Sequence, residues 1–157
     1  MNGSAEHTAV ESDNQILTLL LAAQRLQRAA IDLVTDQLYI LKIEEINAIQ
    51  ALILCSVGDE SMTAGNLMHK GHYSGANVSY NLNRLVQLGY LNKNPNEIDR
   101  REVIVSVTDK GRDVRTRLTQ RIATFSLNHE MRFQFPELIK QIDPMCGELA
   151  RFIRYTR

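Results

Sequence analysis

Apolar positions along the chain change their period twice. From Asn14 to about Leu38 they recur at three- and four-residue steps, through Ile16, Leu19, Leu20, Ala23, Leu26, Ala30, Ile31, Val34 and Leu38. This spacing puts one wide apolar stripe on a long helix. A second helix is expected from Glu44 to about Ser56, with Ile46, Ile49, Leu52 and Ile53 turned inward. Its opening acids favour a helix N-terminus, and Gly58-Asp59-Glu60 ends it. Thr63 suits the N-cap of a short helix that buries Leu67 and Met68. The stretch "KGHY", residues 70–73, reads as a tight connection. A helix from Ser74 to Leu88 follows, with Val78, Leu82 and Leu85 on one face and Gly89 just past its end.

Beyond Gly89 the period shortens. Tyr90 to Lys93 and Val103 to Val107 read as two strands of a β-hairpin, with turn residues Asn94-Pro95-Asn96 between them. Thr108 then caps a helix to about Phe125. Near the end, Leu138, Ile142, Met145, Leu149 and Phe152 form a heptad-like seam. Pro136 fits the first turn of that helix, and Pro144 is expected to kink it or split it after Asp143. Residues 1–13 are polar and read as a flexible tail. The pattern predicts a mostly α protein, with one domain from residue 14 to 157. A helix-turn-helix with a two-stranded β wing occupies about 44–112, between terminal helices at about 14–38 and 113–157. In this winged-helix arrangement the second helix of the motif can lie in a major groove about 12 Å wide, with the hairpin against the neighbouring backbone or minor groove. The two terminal apolar stripes suit pairing with a second copy of the chain, or packing on each other within one copy.

At 157 residues the chain is long enough for a real core, and 44% hydrophobic with 23% charged residues is ordinary for a globular protein. No secretory signal or membrane span is legible, so a cytoplasmic location is expected. The formal net charge is zero, but its distribution is uneven. Residues 1–60 carry three lysines and arginines against nine acids, and residues 61–117 carry nine against five. A locally basic segment is what phosphate binding requires. Cys55 and Cys146 have no partner at zinc spacing and read as reduced, buried side chains. No metal site, cofactor motif, nucleophile elbow or phosphate-binding glycine loop is present in the sequence, and an enzyme finds no positive support.

The span from Met62 to Val114 resembles the winged-helix core of the MarR family of bacterial transcriptional regulators. The likeness rests on Thr63, the Val78-Ser79 pair, the step from Leu85 to Gly89-Tyr90, the wing residues Asp99 and Arg101, and Thr108 with Gly111. It covers about residues 61–114. Tyr80 stands where the family often has a basic residue, and the helix is rich in asparagine. The resemblance implies a homodimer on double-stranded, pseudo-palindromic operator DNA. It also implies a pocket for a small effector, often an aromatic or phenolic acid, for which the sequence names no residues.

The residues expected to face DNA are Ser74, Asn77, Ser79, Tyr80, Asn81 and Arg84 on the second helix of the motif. Asp99, Arg100 and Arg101 are expected at the wing tip, and Lys70 and His72 in the turn. Asparagine can pair bidentately with adenine, and arginine suits a narrow minor groove. Asp99 is expected to pair with one of the two guanidinium groups. Two other readings remain open. One is a winged-helix module that binds protein rather than DNA, and the other is a thiol-based redox regulator.

Overall fold

No glycine or proline interrupts residues 4–40, and the chain there is one helix. The computed structural model describes residues 3–71, 75–124 and 129–155. Helix α1 spans Gly3–Ile40. Residues 3–13, expected as a flexible tail, are therefore part of it; Ala5, Glu6, Ala9 and Glu11 are strong helix formers that continue the turn. The helix closes on Lys42, whose φ of 57° places a non-glycine residue in the left-handed region. The N–H of Lys42 donates to the Tyr39 carbonyl and that of Ile43 to the Leu38 carbonyl, both at 3.0 Å. This double bond pattern is a Schellman close.

Contacts divide the chain into two compact units, Met1–Ile49 and Gln50–Arg157. In the first, Val34, Leu38, Ile43 and Ile46 are buried. Helix α2 spans Ala48–Val57. It starts four residues later than expected, directly after Asn47, a residue type that favours the position before a helix. Ile53 is buried as the stripe requires and Leu52 only partly, while Leu54 and Val57, outside the expected set, are buried as well. Ile49, expected inward, is 47% exposed, because the buried arc runs through Gln50, Ala51, Ile53 and Leu54 instead.

The second unit builds its core from α2, three further helices and a small sheet. β1 (Met62–Thr63), α3 (Ala64–Gly71), α4 (Gly75–Gln87), β2 (Leu91–Pro95), β3 (Val103–Val107) and α5 (Asp109–Ala123) follow in order. The sheet has three antiparallel strands in the order β1-β3-β2. The hairpin registers Leu91 opposite Val107 and Pro95 opposite Val103, so β2 runs through the residues expected to turn. β1 adds a short strand that sequence did not suggest, pairing Met62 with Val105 and Thr63 with Ile104. A two-residue strand has no periodicity to read. Thr63 also caps α3 as expected, its hydroxyl accepting from the Asn66 N–H at 3.0 Å. Gly89, at φ 76°, closes α4 in a second Schellman pattern: its N–H reaches the Val86 carbonyl and the Tyr90 N–H reaches Leu85.

Helix α6 spans His129–Tyr155 and holds both prolines in its interior. The expected split after Asp143 does not occur, and Pro136 lies beyond the first turn. Each proline removes one backbone hydrogen bond from a 27-residue helix, and the turns on either side remain.

The junction of α4, the hairpin and α5 explains the Thr-x-x-Gly spacing. Thr108 caps α5, its hydroxyl accepting from the Gly111 N–H at 3.1 Å and donating to the Gly89 carbonyl at 2.7 Å. Gly111 lies so close to the Tyr90 carbonyl that a Cβ there would overlap it, and would stand 2.9 Å from Val107 Cγ1. Gly111→Ala is therefore expected to destabilise the fold by about 1–3 kcal/mol, the usual range for forced overpacking. Denaturant unfolding checks this; a midpoint equal to that of the parent protein would contradict the packing described.

Candidate nucleic-acid interface

On α4, Val78, Leu82 and Leu85 are buried, and Asn77, Ser79, Tyr80 and Arg84 are exposed. Tyr80 is 69% exposed, a large ring held out from the helix without cover. Asn77, Tyr80 and Arg84 fall at i, i+3 and i+7, which makes one outward stripe. At the base of the helix, the Lys93 ammonium on β2 donates to Asn83 Oδ1 at 3.0 Å.

Asn81 was expected on the outward face and is not there. It is 9% exposed and lies on the inward arc beside Leu82. Its position, three residues after Val78 and four before Leu85, puts it on the apolar stripe. Its Nδ2 donates to the Asn77 carbonyl at 2.8 Å, and its Oδ1 accepts from Gln50 Nε2 on α2 at 3.2 Å. A small polar side chain on a buried arc needs such partners, since an unsatisfied buried amide is costly. Lys70 belongs to the last turn of α3. His72 and Ser74 lie outside the described residues.

The wing tip is organised by two successive side-chain turns. Asn96 Oδ1 accepts from the Ile98 N–H at 3.0 Å, and Asp99 Oδ1 accepts from the Arg101 N–H at 2.9 Å. Between Asn96 and Glu102 the loop is closed twice. The Asn96 N–H donates to the Glu102 carbonyl at 3.0 Å, and Asn96 Nδ2 donates to the Glu102 carboxylate at 2.9 Å. The Glu102 N–H returns to the Asp99 carbonyl at 2.9 Å.

Asp99 thus does not pair with a guanidinium as expected. A short aspartate reaches the backbone two residues ahead with little loss of freedom, whereas an exposed ion pair must immobilise a long arginine in high dielectric. Arg100 and Arg101 are exposed, and among the described residues no bond to either guanidinium is found. Asp99 and Glu102 hold the backbone, and the two arginines project from it. Ile98, also at the tip, is 97% exposed.

Residues 46–111 match the family described as a winged helix DNA-binding domain. The chain is 29% identical over 113 residues to the exopolysaccharide II synthesis transcriptional activator ExpG of Rhizobium meliloti (strain 1021), across 70% of this chain and 58% of that protein. It therefore spans less than two thirds of this curated relative. Reduced AbfR bound to DNA superposes with a TM-score of 0.68 at 19% identity, covering 88% of this chain and 99% of AbfR. A mutant of MarR from E. coli complexed with operator DNA superposes with a TM-score of 0.65 at 23% identity, covering 82% of this chain and 96% of MarR. This chain has the winged-helix fold seen in AbfR and MarR.

A second feature lies away from α4 and the wing. Cys55, Gly58 and Asp59, at the end of α2, and Arg115, Thr116, Thr119 and Gln120, on α5, line an open pocket of ≈ 440 Å³. Asp59 is ion-paired to Arg115 and lies 3.8 Å from Arg112. Arg115 Nη1 is buried with no hydrogen-bond partner. Arg115 comes from a separate helix, so its nearness to Cys55 leaves no signal in the sequence. Neither cysteine is fully buried as expected; both are free and half-buried. Among the described residues no group of histidine, cysteine and carboxylate side chains could hold a metal ion, and no helix is long and apolar enough to cross a membrane.

Two influences compete at Cys55. Burial pushes its thiol pKa up, the Arg115 guanidinium pulls it down, and burial wins. A raised pKa leaves the group protonated at neutral pH, and the thiol rather than the thiolate is a poor nucleophile. Alkylation of Cys55 near pH 7.5 should therefore be slower in the folded protein than in the urea-unfolded chain, and should speed up as pH rises. Mass spectrometry of the Cys55 peptide reads both; equal rates in the two states would show a reactive thiolate.

Proposed function

We propose that this chain is a sequence-specific, double-stranded DNA-binding transcriptional regulator that acts as a homodimer in the cytoplasm. The observation that carries this reading is the pairing of an exposed polar face on α4 with a pre-ordered wing tip bearing two unpaired guanidinium groups. In this reading α4 lies in the major groove, where Asn77 and Tyr80 meet base edges and Ser79 and Arg84 meet edges or phosphates. Arg100 and Arg101 reach the adjacent backbone or minor groove, whose potential is most negative where it is narrow. Lys70 and His72, just before α4 in sequence, are assigned phosphate contacts, and Ser74 is assigned to the base-reading set with Asn77 and Tyr80. The winged helix DNA-binding domain matched over residues 46–111 and the DNA-bound state of AbfR and MarR support the reading. ExpG, a transcriptional activator by name, supports the regulatory role without fixing its sign.

A small effector is part of the proposal. The pocket between the end of α2 and α5 is its place, and the unpartnered Nη1 of Arg115 supplies a donor for an acidic group. An aromatic or phenolic acid is the class the family likeness suggests. No cofactor is invoked.

Binding to duplex DNA should weaken steeply as salt rises, since phosphate contacts release counterions. A protein-interaction module would bind poorly at every salt concentration. On the duplex selected from a random library, Asn77→Ala and Tyr80→Ala should each lose about 1–3 kcal/mol, with random duplex little affected. Arg100→Ala and Arg101→Ala should weaken both duplexes and each lower the salt slope by about one. Asp99→Ala removes a negative charge yet frees the Arg101 N–H, so charge and order predict opposite signs. We expect weaker binding, because the wing backbone loses its hold; tighter binding at moderate salt would mean that charge dominates.

The homodimer is motivated by rows of exposed apolar side chains. Leu19 and Leu20 on α1, and Leu138, Leu149 and Phe152 on α6, are all more than a third exposed. An obligate dimer interface often exceeds about 2,000 Å², and such rows provide the apolar area. Two-fold symmetry would then call for a pseudo-palindromic operator. Light scattering at micromolar concentration should give twice 17.8 kDa. A folded monomer at that concentration would refute the dimer.

A further inference from the structure

The amide of Asn81 ties α4 to α2, a helix that the DNA-binding reading gives no contact with DNA. The C-terminal end of α4 is fixed through its backbone. Thr108 donates to the Gly89 carbonyl at 2.7 Å, and Lys110 Nζ donates to the Leu88 carbonyl at 3.0 Å while standing 4.3 Å from the Tyr90 ring centre. The N-terminal half, where base edges are reached in a helix-turn-helix, is held differently. There, among the described residues, Val78 and Leu82 are the buried apolar side chains, and apolar contacts have no preferred direction. They keep a helix against a core but resist rotation about its axis weakly.

A hydrogen bond is directional, and the Gln50–Asn81 bond lies within this half. Its orientation is settled by chemistry. The Asn77 carbonyl can only accept, so Asn81 must present Nδ2 to it at 2.8 Å. That turns Asn81 Oδ1 toward Gln50, which must therefore donate through Nε2, at 3.2 Å. The result is a relay from α2, through two amides, to the backbone of the turn that carries exposed Asn77. Both amides are buried, Gln50 at 5% and Asn81 at 9% exposure, so water does not compete for the bond.

We propose that Gln50 is a positioning residue for sequence-specific DNA binding: through Asn81 it sets the rotation of α4 and so decides which base edges Asn77 and Tyr80 meet. This inference rests on the DNA-binding reading. It makes a residue of α2, remote from the outward face, a determinant of specificity rather than of affinity.

The test uses the full chain with Gln50 and Asn81 both replaced by leucine. An apolar pair of similar volume removes both amides of this bond together, and circular dichroism reads whether the fold stands. Affinity is measured on the duplex selected by the parent protein and on random duplex, at several salt concentrations. The ratio of the two affinities should fall about tenfold, the weight of one misplaced base contact. Random-duplex affinity and salt slope should stay as they were, since no phosphate contact is touched. A merely structural bond would lower stability and both affinities together. An unchanged ratio in a folded double variant overturns the proposal. If circular dichroism shows the double variant unfolded, Gln50→Met, which keeps the side-chain length and leaves α4 untouched, takes its place with the same expected and opposing results. Failure of the parent protein itself to bind duplex would overturn the DNA reading, and is visible before any variant is made.

Discussion

The carbonyl of Tyr90 is the point on which the presentation of α4 and the wing depends. It accepts from the Thr108 N–H at 3.1 Å, shares the Thr108 hydroxyl proton with the nearer Gly89 carbonyl, and has Gly111 pressed against it. Tyr90 follows the close of α4, precedes β2, and faces the first turn of α5. One peptide group therefore joins α4, the hairpin and the following helix. The neighbouring register, Leu91 opposite Val107, carries that constraint into the sheet. With a side chain at 111 the first turn of α5 would have to withdraw, and the angle between α4 and the wing would change with it.

Much of this arrangement was legible in the sequence for specific reasons. Gly89 and Thr108 occupy positions where a left-handed residue and a hydroxyl cap are needed, and their chemistry is local. The apolar faces of α4 and α5 follow the helical period. The winged-helix order needed only the order of elements, not their contacts. What escaped was set by long-range partners. Asn81 looks like a solvent-facing polar residue until Gln50, 31 positions earlier, is placed beside it. Arg115 looks like an ordinary helix charge until Cys55 and Asp59 are seen next to it. Asp99 has two arginines as neighbours in sequence, and only the loop geometry shows that it prefers the backbone.

The wing shows how a charged loop can be ordered without ion pairs. Its tip carries Glu97, Asp99 and Glu102 against Arg100 and Arg101, so formal charge alone would not draw it to phosphate. Asp99 and Glu102 instead accept bonds from a backbone N–H and from the Asn96 amide, which sets the loop shape. The arginines are left to project, and their directions rather than the net charge of the tip govern what they meet. Charge counting along the sequence located the basic segment but could not separate acids that shape the loop from bases that extend beyond it.

An exposed Arg100-Arg101 pair is also a cleavage site for trypsin-like proteases, which need an extended stretch of backbone to thread through their active cleft. The two side-chain turns and the double closure between Asn96 and Glu102 hold the loop bent, against that requirement. Nicking at these arginines therefore reports how often the wing unbends. If the tip meets a duplex as proposed, the duplex would slow cleavage further, and the rate of a single peptide cleavage would become a footprint of the wing.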